Sequence, residues 1–318
     1  MSEPSLVILN PAAAGGRAAA LVPALRAWLA SHAPGVRLEV SASAGAARAL
    51  AASQAGAARC IVVGGDGTVH QLLPPLLQGG LAMGLVPLGS GNDTARALGL
   101  HGLDWRSALH HALTAPAQAI DVGELRLEPG ASPDGRLAPP AVRPFVSSLA
   151  AGFDAAVGLR ALQGPAWLRG LPRYLWATFG ELAALRRCRV RVEADGQLLH
   201  HEPAIFASVL NTPSYGSGMP AVPQARVDDA RLDVLVAGGF SRLGALAMLP
   251  RLLAGTHLGD ARIRTRSFTV LRVSSDEAWA LAADGEPAGQ ARSWEVRVRP
   301  GALRAVALAP QRARQSGA

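Results

Sequence analysis

In the first third of the chain, short apolar runs end in loops of glycine, asparagine and proline, and these loops open onto helix-period stretches. Leu6 to Leu9 runs into Asn10-Pro11 and Gly15-Gly16, after which Ala18 to Ala30 places Leu21, Leu25, Trp28 and Leu29 on one helical face. Val36 to Val40 reads as a second strand and Ala46 to Ala55 as a second helix. Ile61 to Val63 is a third strand ending at Gly64, followed by a helix through Leu73. Leu85-Val86 makes a fourth, and Asp93 to Leu98 opens another helix. Strands alternating with helices at this spacing form a parallel sheet covered on both faces.

The pattern changes near Asp121. Val122 to Leu127, Phe145 to Ala150, Arg189 to Glu193, Ala204 to Val209, Leu232 to Val236, Phe268 to Val273 and Trp294 to Val298 are strand-like and separated by turns. Such a run forms an antiparallel sandwich or barrel. Ala131 to Pro140 reads as a surface loop, and Leu171 to Arg186 and Leu243 to Leu253 as helices. A chain of 318 residues is more than one hydrophobic core serves. The reading is an α/β domain over 1–121 and a mostly antiparallel β-rich domain over 122–300, with the segment from about 301 to 318 free to return to the first.

The charge narrows the partners less than the loops do. A net charge of +8, carried by arginine, favours nucleotide phosphates, acidic lipid headgroups or nucleic acid without choosing among them. Cys60 and Cys188 lie far apart without metal-ligand spacing, which suits a reducing cytoplasm. The start of the chain shows no basic region or cleavage signature, and Pro250 and Arg251 interrupt the apolar stretch from Leu243 to Leu253. Contact with a membrane is therefore expected from its surface.

Gly64-Gly65-Asp66-Gly67-Thr68 is the strongest local signal, since it joins a strand to a helix where α/β sheets bind ligands. Small residues let backbone N–H groups reach phosphate oxygens, and the helix N-terminus adds positive potential. Asp66 then holds Mg²⁺ or orients phosphates and Thr68 donates to one; the competing reading makes both of them helix caps. Pro87-Leu88-Gly89-Ser90-Gly91-Asn92-Asp93 repeats the logic, with Ser90 and the backbone of Gly89 and Gly91 suited to phosphate, and Asp93 a cap or a polar site residue. Asn10-Pro11 with Gly15-Gly16-Arg17 is a third such loop. Far downstream, Asp284-Gly285-Glu286 sets two carboxylates beside a glycine, a pair suited to accepting a hydroxyl proton. Trp167, Tyr174, Trp176 and Phe179 read as core at helical spacing, with a lipid-facing surface as the alternative. His110-His111 and His200-His201 are assigned no ligand role, because neighbouring side chains diverge.

Taken in order, these motifs resemble the diacylglycerol kinase catalytic-domain family of lipid kinases. The match runs through Asn10-Pro11, Gly64 to Thr68, Pro87 to Asp93 with Ala95-Arg96 and Leu98-Gly99, and Gly152-Phe153-Asp154-Ala155. It continues with Tyr215 to Met219, Pro223 and Ala225, Asp228-Asp229, Leu232-Asp233-Val234 and Asp284-Gly285-Glu286, so it spans nearly the whole chain. The resemblance implies an α/β domain like that of NAD kinases and phosphofructokinases plus a β-sandwich, with ATP and Mg²⁺ in the cleft between them. It implies ATP contacts at Asn10, Gly64, Gly65, Asp66, Gly67, Thr68, Gly89, Ser90, Asn92 and Asp93, and a hydroxyl contact at the end of the second strand from Ser41. It makes Glu286 the proton acceptor, with Asp284 and Asp66 as further catalytic candidates. It places a structural Mg²⁺ on the carboxylate of Asp229 and the carbonyls of Arg226 and Arg231.

Where the family carries Asn-Glu after the first loop, this chain has His70-Gln71; Ser90 replaces a threonine and Ala230 a glycine. His70 is read as an imidazole that caps or packs rather than as a base. The implied activity is transfer of the γ-phosphoryl group of ATP to a hydroxyl of a membrane lipid such as diacylglycerol. The expected location is cytoplasmic and peripheral at the inner membrane surface, without nucleic acid and with a homodimer left open. An NAD kinase-like small-molecule kinase and a nucleotide- or lipid-binding pseudokinase are the competing readings.

Overall fold

The computed structural model describes residues 4–53, 58–89, 91–127, 141–165, 167–168 and 171–308. The loop read at Ala131 to Pro140 lies outside the described residues, as does Ser90.

The first lobe contains β1 (Ser5–Leu9), α1 (Val22–His32), β2 (Arg37–Val40), α2 (Ala44–Ala52), β3 (Arg59–Gly64), α3 (Asp66–Gly79), β4 (Ala82–Pro87), α4 (Asp93–Ala97) and α5 (Trp105–Thr114). β1 pairs in parallel with β2 and β3, and β3 in parallel with β4. Because side chains alternate along a strand, Ile8, Cys60 and Val62 face one core with Leu72, Leu73 and Leu76 of α3. Val7, Leu9, Ile61 and Val63 face the other, with Leu25 of α1 and Leu109 of α5. Burial on both faces is why β3 has no polar side of its own. Helix α3 does not stop at Leu73 but runs through Pro74 and Pro75 to Gly79, where Gly80 caps it at φ +62°. The buried Leu72, Leu73 and Leu76 hold it across the lost backbone bonds.

The second lobe contains β5 (Ala117–Leu127), β6 (Ala141–Phe145), β7 (Ser148–Ala151), α6 (Phe153–Leu162), α7 (Leu171–Leu182), β8 (Cys188–Ala194), β9 (Gln197–Leu210), β10 (Leu232–Gly238), α8 (Arg242–Leu253), β11 (Ile263–Phe268), β12 (Val270–Ala283) and β13 (Glu286–Val306). Its pairings within the lobe are antiparallel, around a core that includes Val192, Val209, Leu271, Leu281, Trp294 and Val296. The far end of β13 pairs in parallel with β4 at Ala305 and Met83, so one mixed sheet runs through both lobes.

Two expected strands are divided. The one read over Phe145 to Ala150 breaks between β6 and β7, because the amides of Val146, Ser147 and Ser148 turn inward to the Asp284 carboxylate. The one read over Phe268 to Val273 straddles β11 and β12, with the Thr269 amide between them donating to Asp195. β12 and β13 form a hairpin in which Ala283 faces Glu286 across Asp284-Gly285. Both turn residues have positive φ, +50° and +83°, the mark of a type I′ turn, for which Asp-Gly is a favoured pair.

Candidate active site

The loops that follow β1, β3 and β4 meet at the carboxyl edge of the parallel strands. There they line a cleft of about 580 Å³ with Asp154, Tyr174, the Tyr215–Ser217 loop and the Asp284–Glu286 turn.

The wall that the first lobe contributes is built largely from backbone. A Cβ on Gly65 would stand 2.7 Å from the Gly89 Cα, so the loops after β3 and β4 touch main chain to main chain only because both positions are glycine. Asn92, at φ +56°, accepts from the Gly89 amide at 2.9 Å and donates to the Gly89 carbonyl at 2.7 Å. Asp66 reaches from the first loop to cap α4 of the second, accepting from the amides of Asp93 and Thr94 at 3.1 and 3.0 Å. Burial raises its pKa most, and the nearby charge of Asp93 adds to this, while the two amides pull it down. Asn10 donates from Nδ2 to the Thr68 hydroxyl at 3.1 Å, tying in the loop after β1. The three loops thus form one hydrogen-bonded unit.

Two carboxylates join that unit to the second lobe. Asp93 accepts from the Ser214 hydroxyl at 2.8 Å and from the amides of Gly218 and Ser217 at 2.9 and 3.1 Å. Asp284 accepts from the amides of Val146, Ser147 and Ser148, the shortest at 2.7 Å, and its Oδ2 lies 3.0 Å from His70 Nδ1. Its side chain is fully buried. These contacts commit Asp284 to holding the turn, whereas the Glu286 side chain makes no hydrogen bond among the described residues. A Cβ on Gly67 would meet Glu286 Oε1 at 2.9 Å, which places this carboxylate directly against the start of α3.

Asp154 stands at the back of the cleft. Its Oδ2 accepts from the Ser208 hydroxyl at 2.6 Å, Tyr215 bonds to it as well, and burial pushes its carboxyl up to about 6. Behind it lies a narrower apolar cavity of about 90 Å³, walled by α6, α7, β10 and α8. Asp154, Tyr174 and Tyr215 line both spaces. The helices over the apolar cavity expose large side chains: Leu162, Phe179 and Leu243 are about half exposed or more, and Trp167 between α6 and α7 is 80% exposed. Trp167, Trp176 and Phe179 are therefore corrected from core to surface, while Tyr174 turns inward.

Most of the residues expected to form the site come together here: Asn10, Gly65, Asp66, Gly67, Thr68, Gly89, Asp93, Asp284 and Glu286 line the cleft, with Asn92 supporting it. Ser41 is not brought in; its buried hydroxyl donates to the Leu9 carbonyl. Gly64 lies beneath the Thr68 side chain. Arg226, Asp229 and Arg231 belong to a separate loop where Arg226 pairs with Asp228 and Asp229 accepts from the Arg231 amide. Ala230 takes φ +61° there, a conformation its Cβ disfavours, and its amide donates to Asp121 at 2.7 Å. Ser147, Ser148 and Ser208 have no mark in the sequence, because serines within strand-like runs carry no local signal.

The chain matches two family profiles, the diacylglycerol kinase catalytic domain over residues 4–125 and the YegS C-terminal NAD kinase beta sandwich-like domain over residues 147–307. It is 32% identical over 210 residues to a diacylglycerol kinase of Mycobacterium tuberculosis; the alignment covers 66% of this chain and 64% of that protein's length. It is 30% identical over 244 residues to a Pseudomonas aeruginosa protein described as "Probable lipid kinase YegS-like", covering 76% of this chain and 74% of the relative. A crystal structure of a diacylglycerol kinase from Bacillus anthracis shares its fold, with a TM-score of 0.73 at 19% identity, covering 96% of this chain and 98% of the other.

Proposed function

Since the chain belongs to the diacylglycerol kinase catalytic-domain family, we propose that it transfers the γ-phosphoryl group of ATP to a hydroxyl of a membrane lipid such as diacylglycerol. The observation that carries this reading is the shared wall at Asp154, Tyr174 and Tyr215, with a polar cleft on one side and an apolar cavity on the other. A lipid with a hydroxyl head and an acyl tail matches that arrangement.

ATP suits the polar side. The glycine backbones at Gly65, Gly67 and Gly89 allow close approach of phosphates, the helix α3 N-terminus adds positive potential, and Arg17 and Arg173 line the same cleft. Mg²⁺, when bound, neutralises charge developing on the transferred group. Asp66 is the cleft residue that would hold it. A second cation would sit at Asp229 with the carbonyls of Arg226 and Arg231. Asp121 of β5 stands beside that loop; burial raises its pKa, and the charges of Asp229 and Asp228 raise it further, so a cation there would relieve their repulsion. Among the described residues no three His, Cys, Asp or Glu side chains converge on one point, so the carbonyls are needed.

Glu286, whose side chain makes no hydrogen bond among the described residues, accepts the proton of the lipid hydroxyl as that oxygen bonds to the γ-phosphorus of ATP and the bond from this phosphorus to the β-phosphate oxygen breaks, releasing ADP. Asp154 accepts a hydrogen bond from the lipid head and orients it. The acyl tail enters under α8, none of whose residues is buried. No helix among the described residues is long and apolar enough to cross a membrane, and the exposed Trp167, Phe179 and Leu243 give the protein a face for the bilayer surface.

The test is incubation with labelled ATP and a total lipid extract, with the product identified, beside a parallel reaction on NAD. A labelled lipid supports the reading. Labelled NADP in its place would make this a small-molecule kinase, and tight ATP binding without any turnover would make it a pseudokinase.

A further inference from the structure

We infer that His70 is a positioning residue: its bond to Asp284 fixes the Asp284–Glu286 turn of one lobe against the phosphate-loop helix of the other, and so sets where Glu286 stands. This rests on Glu286 being the base of the proposed reaction.

The geometry runs through two contacts one helical turn apart. His70 lies in the first turns of α3, four residues after Asp66, and its Nδ1 is 3.0 Å from Asp284 Oδ2. Glu286 Oε1 lies where a side chain on Gly67 of the same helix would begin, 2.9 Å from the position a Cβ would take. The turn therefore meets α3 twice, and only the His70 contact is a hydrogen bond among the described residues. The other donors to Asp284 come from Val146, Ser147 and Ser148 of the second lobe itself, so they hold the turn within its own lobe and not across to the first. His70 keeps 18% of its side chain exposed and stands behind the wall that Gln71, Asp284 and Glu286 line, which excludes it as the group that touches substrate.

Charge supports the same role. Burial lowers the His70 pKa, but the Asp284 hydrogen bond and the charges of Asp284 and Glu286 outweigh it and leave the value raised; Arg48 of α2 opposes them weakly. These are the charged groups facing the ring from the β12–β13 turn and from α2. A cation whose folded value is raised is present below the ordinary histidine value and is lost as pH rises through the raised one. Neutral imidazole can still donate from Nδ1, so the bond outlasts the charge. What disappears at high pH is the attraction that holds two carboxylates to α3.

The test compares the intact protein with His70→Asn and His70→Ala between pH 6 and 9. A base displaced by about 1 Å costs on the order of 100-fold in rate. The expected result is that His70→Ala lowers kcat by about 10- to 100-fold while KM for ATP stays within about twofold. The parent's rate should fall on the alkaline side as His70 loses its charge, and His70→Asn, which keeps a neutral donor, should recover most of kcat and lack that fall. Unchanged kcat in His70→Ala, or an alkaline limb that survives in His70→Asn, overturns the inference. An imidazole NMR titration needs no substrate: the His70 midpoint should lie above 6.5 in the parent and move down in Glu286→Gln. A midpoint at or below 6.5, unmoved by that substitution, also overturns it. If the titration behaves as expected and no lipid is phosphorylated, the lipid-kinase reading fails and the pairing of His70 with the turn stands.

Discussion

The polar cleft and the apolar cavity share three wall residues but are built in opposite ways. The cleft is assembled from backbone: glycines in contact, amides capped by Asp66, Asp93 and Asp284, and a main-chain turn at positive φ. The cavity is assembled from side chains that arrive from α6, α7, β10 and α8, distant in sequence and individually unremarkable. Backbone geometry demands particular residues, so the cleft tolerates little change. Apolar packing demands only size and hydrophobicity, so the cavity tolerates much.

The sharpest way to break this comparison is at the chemical end of the cleft. Glu286→Gln keeps the size of the side chain and removes its basicity, and kcat should fall by about two to four orders of magnitude with ATP affinity nearly unchanged. Asp284→Asn is the companion measurement. Its carboxylate is occupied by three amides and His70, so its loss should appear first as a lower melting temperature. Normal turnover in Glu286→Gln beside a collapse in a folded Asp284→Asn would exchange the two roles.

The same contrast explains what could be read before the structure. Gly64 to Thr68 and Gly89 to Asp93 were legible because close backbone approach is written as glycine, and Asp284-Gly285 because a type I′ turn favours that pair. The parallel sheet was legible from the doubly buried runs at Leu6 to Leu9 and Ile61 to Val63. Helix α5 carries its one local signal at Asp104, an N-cap that accepts from the amides of Arg106 and Ser107, and it is absent from the strand–helix reading above. Helix α6 has no such signal, since its N-cap is Gly152 at φ +80° and no side chain caps it. The apolar cavity had no local sign at all: Tyr174, Ile205, Leu235 and Met248 meet only once the sheet is folded. Nor did sequence pair His70 with Asp284, 214 positions away.

A second test falls on the shared wall. The Asp154 carboxyl titrates near 6 in the folded protein against an ordinary 3.8, because burial penalises its charge. Its folded value is raised, so its contribution to stability is full below the ordinary value and is lost as pH rises through about 6. A shift of this size is worth roughly 3 kcal/mol. In Asp154→Asn, urea unfolding at pH 4.5 and 7.5 should show the variant gaining on the parent as pH rises. A difference between the two proteins that does not change with pH would mean the wall is wet, and the division between polar and apolar spaces would lose its boundary.

The apolar side can be tested by filling it. Ala245 of α8 lines the cavity, and Ala245→Phe should take the space of two or three methylenes, each worth about 0.8 kcal/mol on burial. Turnover of long-chain diacylglycerol should fall by roughly 10- to 50-fold. A short-chain, water-soluble analogue should react almost as before. Equal losses on both substrates would show that the tail does not enter beneath α8.

The smallest expected effect lies at the outer rim, where the helices that wall the cavity meet solvent. Phe179 is 57% exposed on α7, whose other face supplies Tyr174, Leu175 and Thr178 to the cavity wall. An aromatic ring held out in water on a helix that walls the apolar cavity is stabilised when it enters the headgroup region of a bilayer. Phe179→Ser withdraws part of one ring, about 1 kcal/mol of a burial that is itself partial, so sedimentation with anionic phospholipid vesicles should show about five- to tenfold weaker binding. The residue touches neither the cleft nor the cavity, so turnover of a water-soluble short-chain analogue should not change. The contrast between substrates is therefore the reverse of a catalytic defect: loss on vesicles, none in free solution. Equal vesicle binding by parent and variant would move the bilayer-facing surface away from α7, leaving Trp167 and the exposed end of α8 at Leu243 as the places to look next.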